Sequence, residues 1–221
     1  VGSWCPHCQT SLSDLEIEYK PEKTKLYYIR YPLVSTPNNY IVVATTRPET
    51  MLGDAAVAVN PKDKRYKDLV GKKVLLPIQN REIPIIADDA IDMKFGTGAV
   101  KVTPAHDMLD AEIAARHNLP NYEIIDERAK MTAAAGKDFE GLKVLEAREK
   151  VIAKMQELGL VEKVEDYEHN LATCYRCGTT LEPLLSNQWF LKMAELAKKT
   201  LKTVKSGKTK IIPKNFEKIL T

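Results

Sequence analysis

From residue 25 onward the apolar positions come in short runs. Segments 25–34, 40–47, 55–60, 72–78, 81–87 and 98–103 are rich in Val, Ile and Tyr and are separated by Pro, Asn, Asp and Gly, which is the pattern of short strands joined by close turns. No helical pattern alternates with these runs, so they predict a closed or strongly curved sheet rather than βαβ units. Two stretches change period. Asp107 is placed to cap a helix that runs to about His117 and is ended by Asn118 and Pro120. Leu142, Leu145, Ile152, Met155 and Leu158 recur at helical spacing over 142–158, with Gly159 as the stop. A third helix is expected over 188–204, with a basic face. The first twenty residues and the connection after 158 read as polar, apart from a cysteine turn in each.

The chain has 221 residues, 44% of them hydrophobic, enough for one large domain or for one domain and a small appendage. Its formal charge is only +3, which excludes a generally basic nucleic-acid coat. The charge is also uneven: residues 192–221 hold nine lysines against Glu195 and Glu217, a local excess of +7, so positions 1–191 carry −4. A solvated helix face is the ordinary reading of such a tail, and any polyanion contact by the body must then be local. No run reaches the roughly 18–20 apolar residues of a membrane span. The opening Val1-Gly2-Ser3-Trp4-Cys5 has neither the basic nor the apolar region of a secretory signal. The expectation is a soluble cytoplasmic protein.

Every cysteine belongs to one of two Cys-x-x-Cys pairs, Cys5/Cys8 and Cys174/Cys177. Two-residue spacing turns both thiolates inward from one tight turn, and two such turns complete a tetrahedral four-thiolate site. A shared structural zinc is favoured over disulfides in a chain of this kind; four reduced thiols or two redox pairs are the alternatives. A shared metal would hold the two ends of the chain together, as in a module inserted into a larger protein.

Two segments concentrate chemistry. Ala44-Thr45-Thr46-Arg47-Pro48-Glu49-Thr50-Met51-Leu52-Gly53-Asp54 ends a strand and turns at Pro48, bringing hydroxyls, backbone N–H groups and a guanidinium to one strand end. Phe95-Gly96-Thr97-Gly98-Ala99-Val100-Lys101-Val102-Thr103-Pro104-Ala105-His106-Asp107-Met108-Leu109-Asp110 has two glycines that permit close backbone approach. Lys101 projects opposite to its apolar neighbours, and Asp107 and Asp110 sit three apart at a helix opening.

Together, Thr-Thr-Arg-Pro-Glu-Thr and Gly-Thr-Gly-Ala-Val-Lys-x-Thr-Pro-Ala-His-Asp-x-x-Asp resemble the editing insertion of class I aminoacyl-tRNA synthetases of the valine, isoleucine and leucine branch. Arg47 and Glu49 contradict the isoleucyl pattern, and Lys101 and Thr103 depart from the leucyl one. Asn80-Arg81-Glu82-Ile83-Pro84-Ile85-Ile86-Ala87-Asp88 and Leu185-Ser186-Asn187-Gln188-Trp189-Phe190-Leu191-Lys192-Met193 resemble the valyl enzymes. Neither His-Ile-Gly-His nor Lys-Met-Ser-Lys-Ser is present, so ATP binding and amino-acid activation are not expected of this chain.

The resemblance implies an α+β fold, a β-barrel-like editing domain with peripheral helices over 21–164. A zinc-knuckle stem is expected from 1–20 and 165–190, and a basic helical flank over 191–221. The activity implied is hydrolysis of threonyl-tRNA(Val) by water, with the tRNA 3′-CCA end and the rest of a synthetase as partners, no membrane, and zinc as a structural metal only. The same domain of a leucyl or isoleucyl enzyme, or a non-catalytic tRNA-binding module, is the alternative. The catalytic set so implied is Lys101, Asp107, Asp110 and Thr46. In it Asp110 pairs with the substrate α-ammonium, and Lys101 and Asp107 hydrogen-bond the threonine hydroxyl or a water. Thr45, Arg47 and Thr50 line the pocket, and Phe95 contacts the terminal adenosine or closes the wall. His106 supports the turn, a general-base role being its alternative.

Overall fold

The short apolar runs form strands, and so do two polar stretches that carry no apolar signal. The computed structural model describes residues 1–36, 38–189, 191–213 and 216, in two units, Val1–Ser186 and Asn187–Thr221. The first contains β1 (Gly2–Cys5), β2 (Thr10–Leu12), β3 (Ile17–Pro32), β4 (Tyr40–Thr45), β5 (Ala56–Val59), β6 (Lys73–Leu76), β7 (Arg81–Ala87), β8 (Ala99–Val102), α1 (Met108–His117), α2 (Val144–Glu157), β9 (Val161–Cys174) and β10 (Glu182–Leu184). The second contains α3 (Ala194–Lys205), which starts later than the expected 188. Lys214 and Lys218 of the basic tail lie outside the described residues.

The expected closed barrel is not formed among the described residues. The strands fall into three ladders, β10-β1-β2, β4-β3-β9 and β6-β7-β5-β8, with β5 and β7 parallel and the other pairs antiparallel. The second and third ladders meet through the isolated bridge Leu33–Val74. They also meet where the Thr97 hydroxyl donates to the Val42 carbonyl at 2.6 Å. Side-chain and single-bridge contacts of this kind join two curved sheets at a corner without completing a ring of backbone bonds.

The short strands β1, β2 and β10 were not expected, and the longest unexpected strand is β9, which pairs with β3 from Ile17↔Cys174 to Ile29↔Val161. Half of its residues are exposed and only its last two are buried, so it shows no apolar alternation. A two-stranded ribbon that leaves the core is held by its backbone ladder and by cross-strand pairs such as Lys25–Asp166. The core lies at the inner end of the ribbon. Ile29, Tyr31, Val43, Val57, Leu76, Ile85 and Met155 are sealed there.

α2 buries Val144, Ala147, Val151 and Met155, an i, i+3, i+7, i+11 stripe. Of the expected face Met155 is buried and Leu142 and Ile152 pack half-buried on the same core, whereas Leu145 is 65% and Leu158 58% exposed. The small and β-branched positions face inward because the helix lies close against the 48–53 turn and Phe139. Met155→Ala is therefore expected to cost about 2–5 kcal/mol by the cavity it leaves. Leu145→Ala should stay within about 0.5 kcal/mol. Chemical denaturation of the two variants checks this; equal losses would contradict the observed face.

Candidate functional site

The site forms where the ends of β4 and β8 meet the start of α1. Gly96 makes this approach possible: it has φ +55°, and a Cβ there would lie 2.4 Å from the Ala44 Cβ. Only glycine fits both conditions. The loop before β8 is thereby pressed onto β4 and carries Phe95 to the site wall. After β4, residues Pro48–Gly53 form a 3₁₀ turn, whose Thr50 hydroxyl donates to the Arg47 carbonyl at 2.9 Å. Arg81 Nη2 fixes the far end of that turn by donating to the Leu52 and Asp54 carbonyls at 3.3 and 2.9 Å. At α1, the Asp107 carboxylate accepts from the Asp110 N–H at 3.0 Å, and Asn118 closes the helix in the left-handed region. The expected cap, helix and stop are all observed.

A cavity of about 310 Å³ opens there. Thr45, Thr46, Arg47, Thr50, Phe95, Lys101, His106, Asp107 and Asp110 all line it, so the structure brings together every residue that the motifs single out. Lys101 is buried. Its Nζ donates to Thr50 Oγ1 at 2.6 Å and to Thr103 Oγ1 at 2.7 Å, with Asp54 Oδ1 3.6 Å away. Asp54 is fully buried, accepting from Tyr31 Oη at 2.7 Å and from the Thr103 hydroxyl at 2.6 Å. Burial raises its carboxyl above the usual range, against the opposing pull of Lys101, Thr103 and Tyr31.

Asp110 is in a different situation. It is only 7% exposed and accepts a single hydrogen bond from a neighbouring segment, from the Thr103 N–H at 2.8 Å. Among the described residues neither Asp107 nor Asp110 takes part in an ion pair. Burial first, and the adjacent Asp107 second, push the Asp110 carboxyl up to about 7. Among the described residues the cavity thus holds one lysine beside its counter-charge and one buried carboxylate that forms no ion pair, with Lys101 pulling on it only weakly.

Arg47 and His106 line the wall with their polar atoms already engaged. Arg47 pairs with Glu49 at 3.2 Å and with Glu182 of β10, and Arg148 of α2 also binds Glu49, at 2.8 Å. Glu49 is fully buried, yet Arg47 and Arg148 outweigh the effect of burial and hold its carboxyl below the usual range. His106 Nε2 accepts the N–H groups of Ile124 and Ile125 at 3.0 and 3.3 Å, which leaves Nδ1 facing the Pro183 carbonyl at 3.4 Å. Burial and the nearby Arg47 lower its pKa to about 4. The ring is held neutral, with the Nε2 lone pair taken up by the 124–125 backbone.

The sequence reading assigned no role to Asp54, Thr103, Tyr31 or Glu182. Asp54 carries the one available signal, a carboxylate directly before the wholly apolar Ala55–Val59 run. Tyr31 and Glu182 lie on distant strands, and nothing in their local sequence points to the cavity.

The four cysteines also converge within the first unit. Their Sγ atoms all lie within 4.8 Å of one another, and none forms a disulfide. Both turns are built alike: Gln9 N–H donates to the Cys5 carbonyl at 2.9 Å and Gly178 N–H to the Cys174 carbonyl at 2.8 Å. Cys177 is held down to about 6 by Thr179, while Cys8, beside Cys177, is pushed up to about 12. Four adjacent thiols cannot all ionise without a cation among them, and this cluster could hold a metal ion.

All of residues 1–221 match the family described as tRNA synthetases class I (I, L, M and V). The chain belongs to this family. It is 54% identical over 219 residues to the valine–tRNA ligase of Thermotoga maritima, covering 99% of this chain and 25% of that protein. It is 52% identical over 215 residues to the valine–tRNA ligase of Geobacter sulfurreducens, covering 97% and 24%. The chain therefore spans about a quarter of the length of the valine–tRNA ligases it matches. A crystal structure of LeuRS from Agrobacterium radiobacter K84, in a ternary complex with tRNA and LeuAMS, shares the fold, with TM-score 0.50 and 19% identity over 74% of this chain and 24% of that one.

In this class I synthetase chain the buried His106 makes folding sensitive to acid. Its folded pKa lies below the unfolded value, so the unfolded state binds more protons between pH 6.5 and 4, and stability falls as pH falls through that window. Going from pH 7 to 5 should cost the wild type about 2 kcal/mol more than it costs His106→Gln. Urea unfolding of both proteins at the two pH values checks the difference; parallel pH profiles would contradict it.

Proposed function

We propose that the chain is the editing domain of a valyl-tRNA synthetase, which in the cytoplasm hydrolyses threonine misattached to the 3′-CCA end of tRNA(Val). What carries the reading is the unmatched Asp110 carboxylate beside a matched Lys101. A buried carboxylate without a cation offers a seat to an ammonium group, and every aminoacyl ester carries one.

The need for such a site follows from size. Threonine and valine are nearly isosteric, and an apolar pocket cannot strongly reject an added hydroxyl, a limit for which valyl enzymes are a known case. A second cavity that requires the hydroxyl solves the problem, because valine leaves its buried donor unpaired. Here Asp110 holds the α-ammonium, Lys101 donates to the threonine hydroxyl, and Asp107, on the exposed side, accepts from the attacking water. The water oxygen forms a bond to the ester carbonyl carbon. The bond from that carbon to the ribose oxygen breaks, and the proton passes to the ribose hydroxyl. Free threonine and uncharged tRNA leave. With the His106 lone pair engaged and the cysteines gathered in the knuckle, no activated nucleophile faces the cavity among the described residues, so the rate must come from placement and fixed dipoles. Thr45, Thr46 and Arg47 shape the wall, and Phe95 meets the terminal adenosine.

The four-thiolate cluster fits zinc. Tetrahedral Zn–S bonds of about 2.3 Å place sulfurs ~3.8 Å apart, and the thiols already stand within 4.8 Å of one another. Zinc would supply structural cross-linking of the chain's two ends and take no part in hydrolysis. One equivalent of zinc should survive dialysis of the wild type and be lost in Cys174→Ser, with a lowered melting temperature. A metal-free wild type of full stability would refute the assignment.

Asp110→Asn should lower kcat/KM for threonyl-tRNA(Val) deacylation about a hundredfold while leaving the circular dichroism spectrum unchanged. For the wild type, kcat/KM should fall as pH drops below about 7, because a protonated Asp110 cannot hold an ammonium. Full turnover by the Asp110→Asn variant would sink the proposal.

A further inference from the structure

The hydrogen-bond directions around Lys101 can be fixed by counting protons. Thr50 has one hydroxyl proton and gives it to the Arg47 carbonyl. Thr103 has one and gives it to Asp54 Oδ1. Both hydroxyls can therefore only accept from Lys101, and they take two of its three N–H groups. One N–H remains for the cavity. Thr103 is the link between the two charges. Lys101 can only donate and an ionised carboxylate can only accept, so the Thr103 proton points at Asp54 and its oxygen faces Lys101. The second oxygen of Asp54 is held by the Tyr31 hydroxyl, and the Asp54 carbonyl is held by Arg81. The carboxylate is thus fixed in orientation from two sides. Thr103 is also the residue whose backbone N–H binds Asp110, so one residue links the lysine to the carboxylate anchor.

We propose that Asp54 is a positioning residue that sets specificity: by fixing the Thr103 hydroxyl as an acceptor and neutralising Lys101, it leaves the ammonium with a single donor aimed at the ligand's side chain. This inference rests on the editing function proposed above and adds to it the residue that decides what the cavity recognises. A hydroxyl oxygen of the acyl group satisfies that donor, and a methyl group does not. Asp54 itself lies behind Lys101 and Thr103 and is not among the cavity-lining residues. Asn at this position has the same shape, but its amide can donate to Thr103. The Thr103 proton then loses its seat on a carboxylate, the hydroxyl is no longer held in one orientation, and the buried ammonium loses its counter-charge.

The test uses non-hydrolysable amides of threonyl- and valyl-adenosine as binding probes, and threonyl- and valyl-tRNA(Val) as substrates, with the 221-residue chain. The expected result is a wild-type preference for the threonyl probe and a preference lowered at least tenfold in Asp54→Asn. The loss should fall on the threonyl probe, because Asp110 still holds the amine of both. Tyr31→Phe, which frees one oxygen of Asp54 without removing its charge, should lower the preference about threefold and serves if Asp54→Asn does not fold. In a Lys101→Met background, Asp54→Asn should cause no further loss of preference. Equal weakening of both probes by Asp54→Asn, or an unchanged preference, overturns the inference while leaving the editing function standing. A wild type with no preference overturns the editing function and this inference with it.

Discussion

A charge removed from water must find a partner, and the site is organised by the one place where that requirement is met and the one where it is not. Lys101 is buried against Asp54, and Thr103 and Thr50 take up its hydrogen bonds. Asp110, on the next segment, is buried and among the described residues forms no ion pair, Lys101 acting on it only at longer range. The first arrangement makes a rigid donor; the second makes a vacancy for positive charge. A protein that left both groups unmatched would lose stability at the site, and one that matched both would have nothing to offer a ligand.

The surrounding fold serves to hold these groups in register. Gly96 lets the loop before β8 lie on Ala44, so that β4 and β8 end at the same level. Arg81 binds the carbonyls that close the 48–53 turn, which fixes the backbone from which Asp54 projects. The wall is tied in turn to the strand that follows the second cysteine pair. Glu182 of β10 pairs with Arg47, and the Pro183 carbonyl faces His106. The cysteine cluster and the cavity are therefore joined through one short strand, and a cross-link at the cluster constrains the segment on which the wall rests.

The sequence made some local features readable because their causes are local. Asp107 caps α1 and Asn118 ends it, as side-chain chemistry at those positions requires. The strand segments at 40–45, 56–59, 73–76, 81–87 and 99–102 follow Val/Ile runs whose burial is visible in their composition. The cavity-lining set was legible for another reason: the two motifs resemble the editing insertion of class I synthetases, and that resemblance, not the local spacing, singled out its residues. The face of α2 was misread because leucine spacing was taken as the guide. The inward side is instead the one with Ala147 and Val151, which fit close against the neighbouring turn.

By itself, then, the sequence determined the punctuated strand pattern, the caps of α1, the paired cysteine turns and the motif residues that face the cavity. The first three depend on backbone preference, side-chain size and spacing within a few residues; the motif residues were readable only through the family resemblance they carry. Only the tertiary structure decided that the sheets stop short of a barrel, that polar residues 17–24 and 161–174 form a ribbon, and that His106 and Arg47 are engaged within the wall. It also decided the pairing of Tyr31 and Asp54 with Thr103 and Lys101, four positions spread across more than seventy residues. Whether a buried charge is matched depends on groups that approach from remote segments. The energy of that match has no trace in the order of the residues beside it.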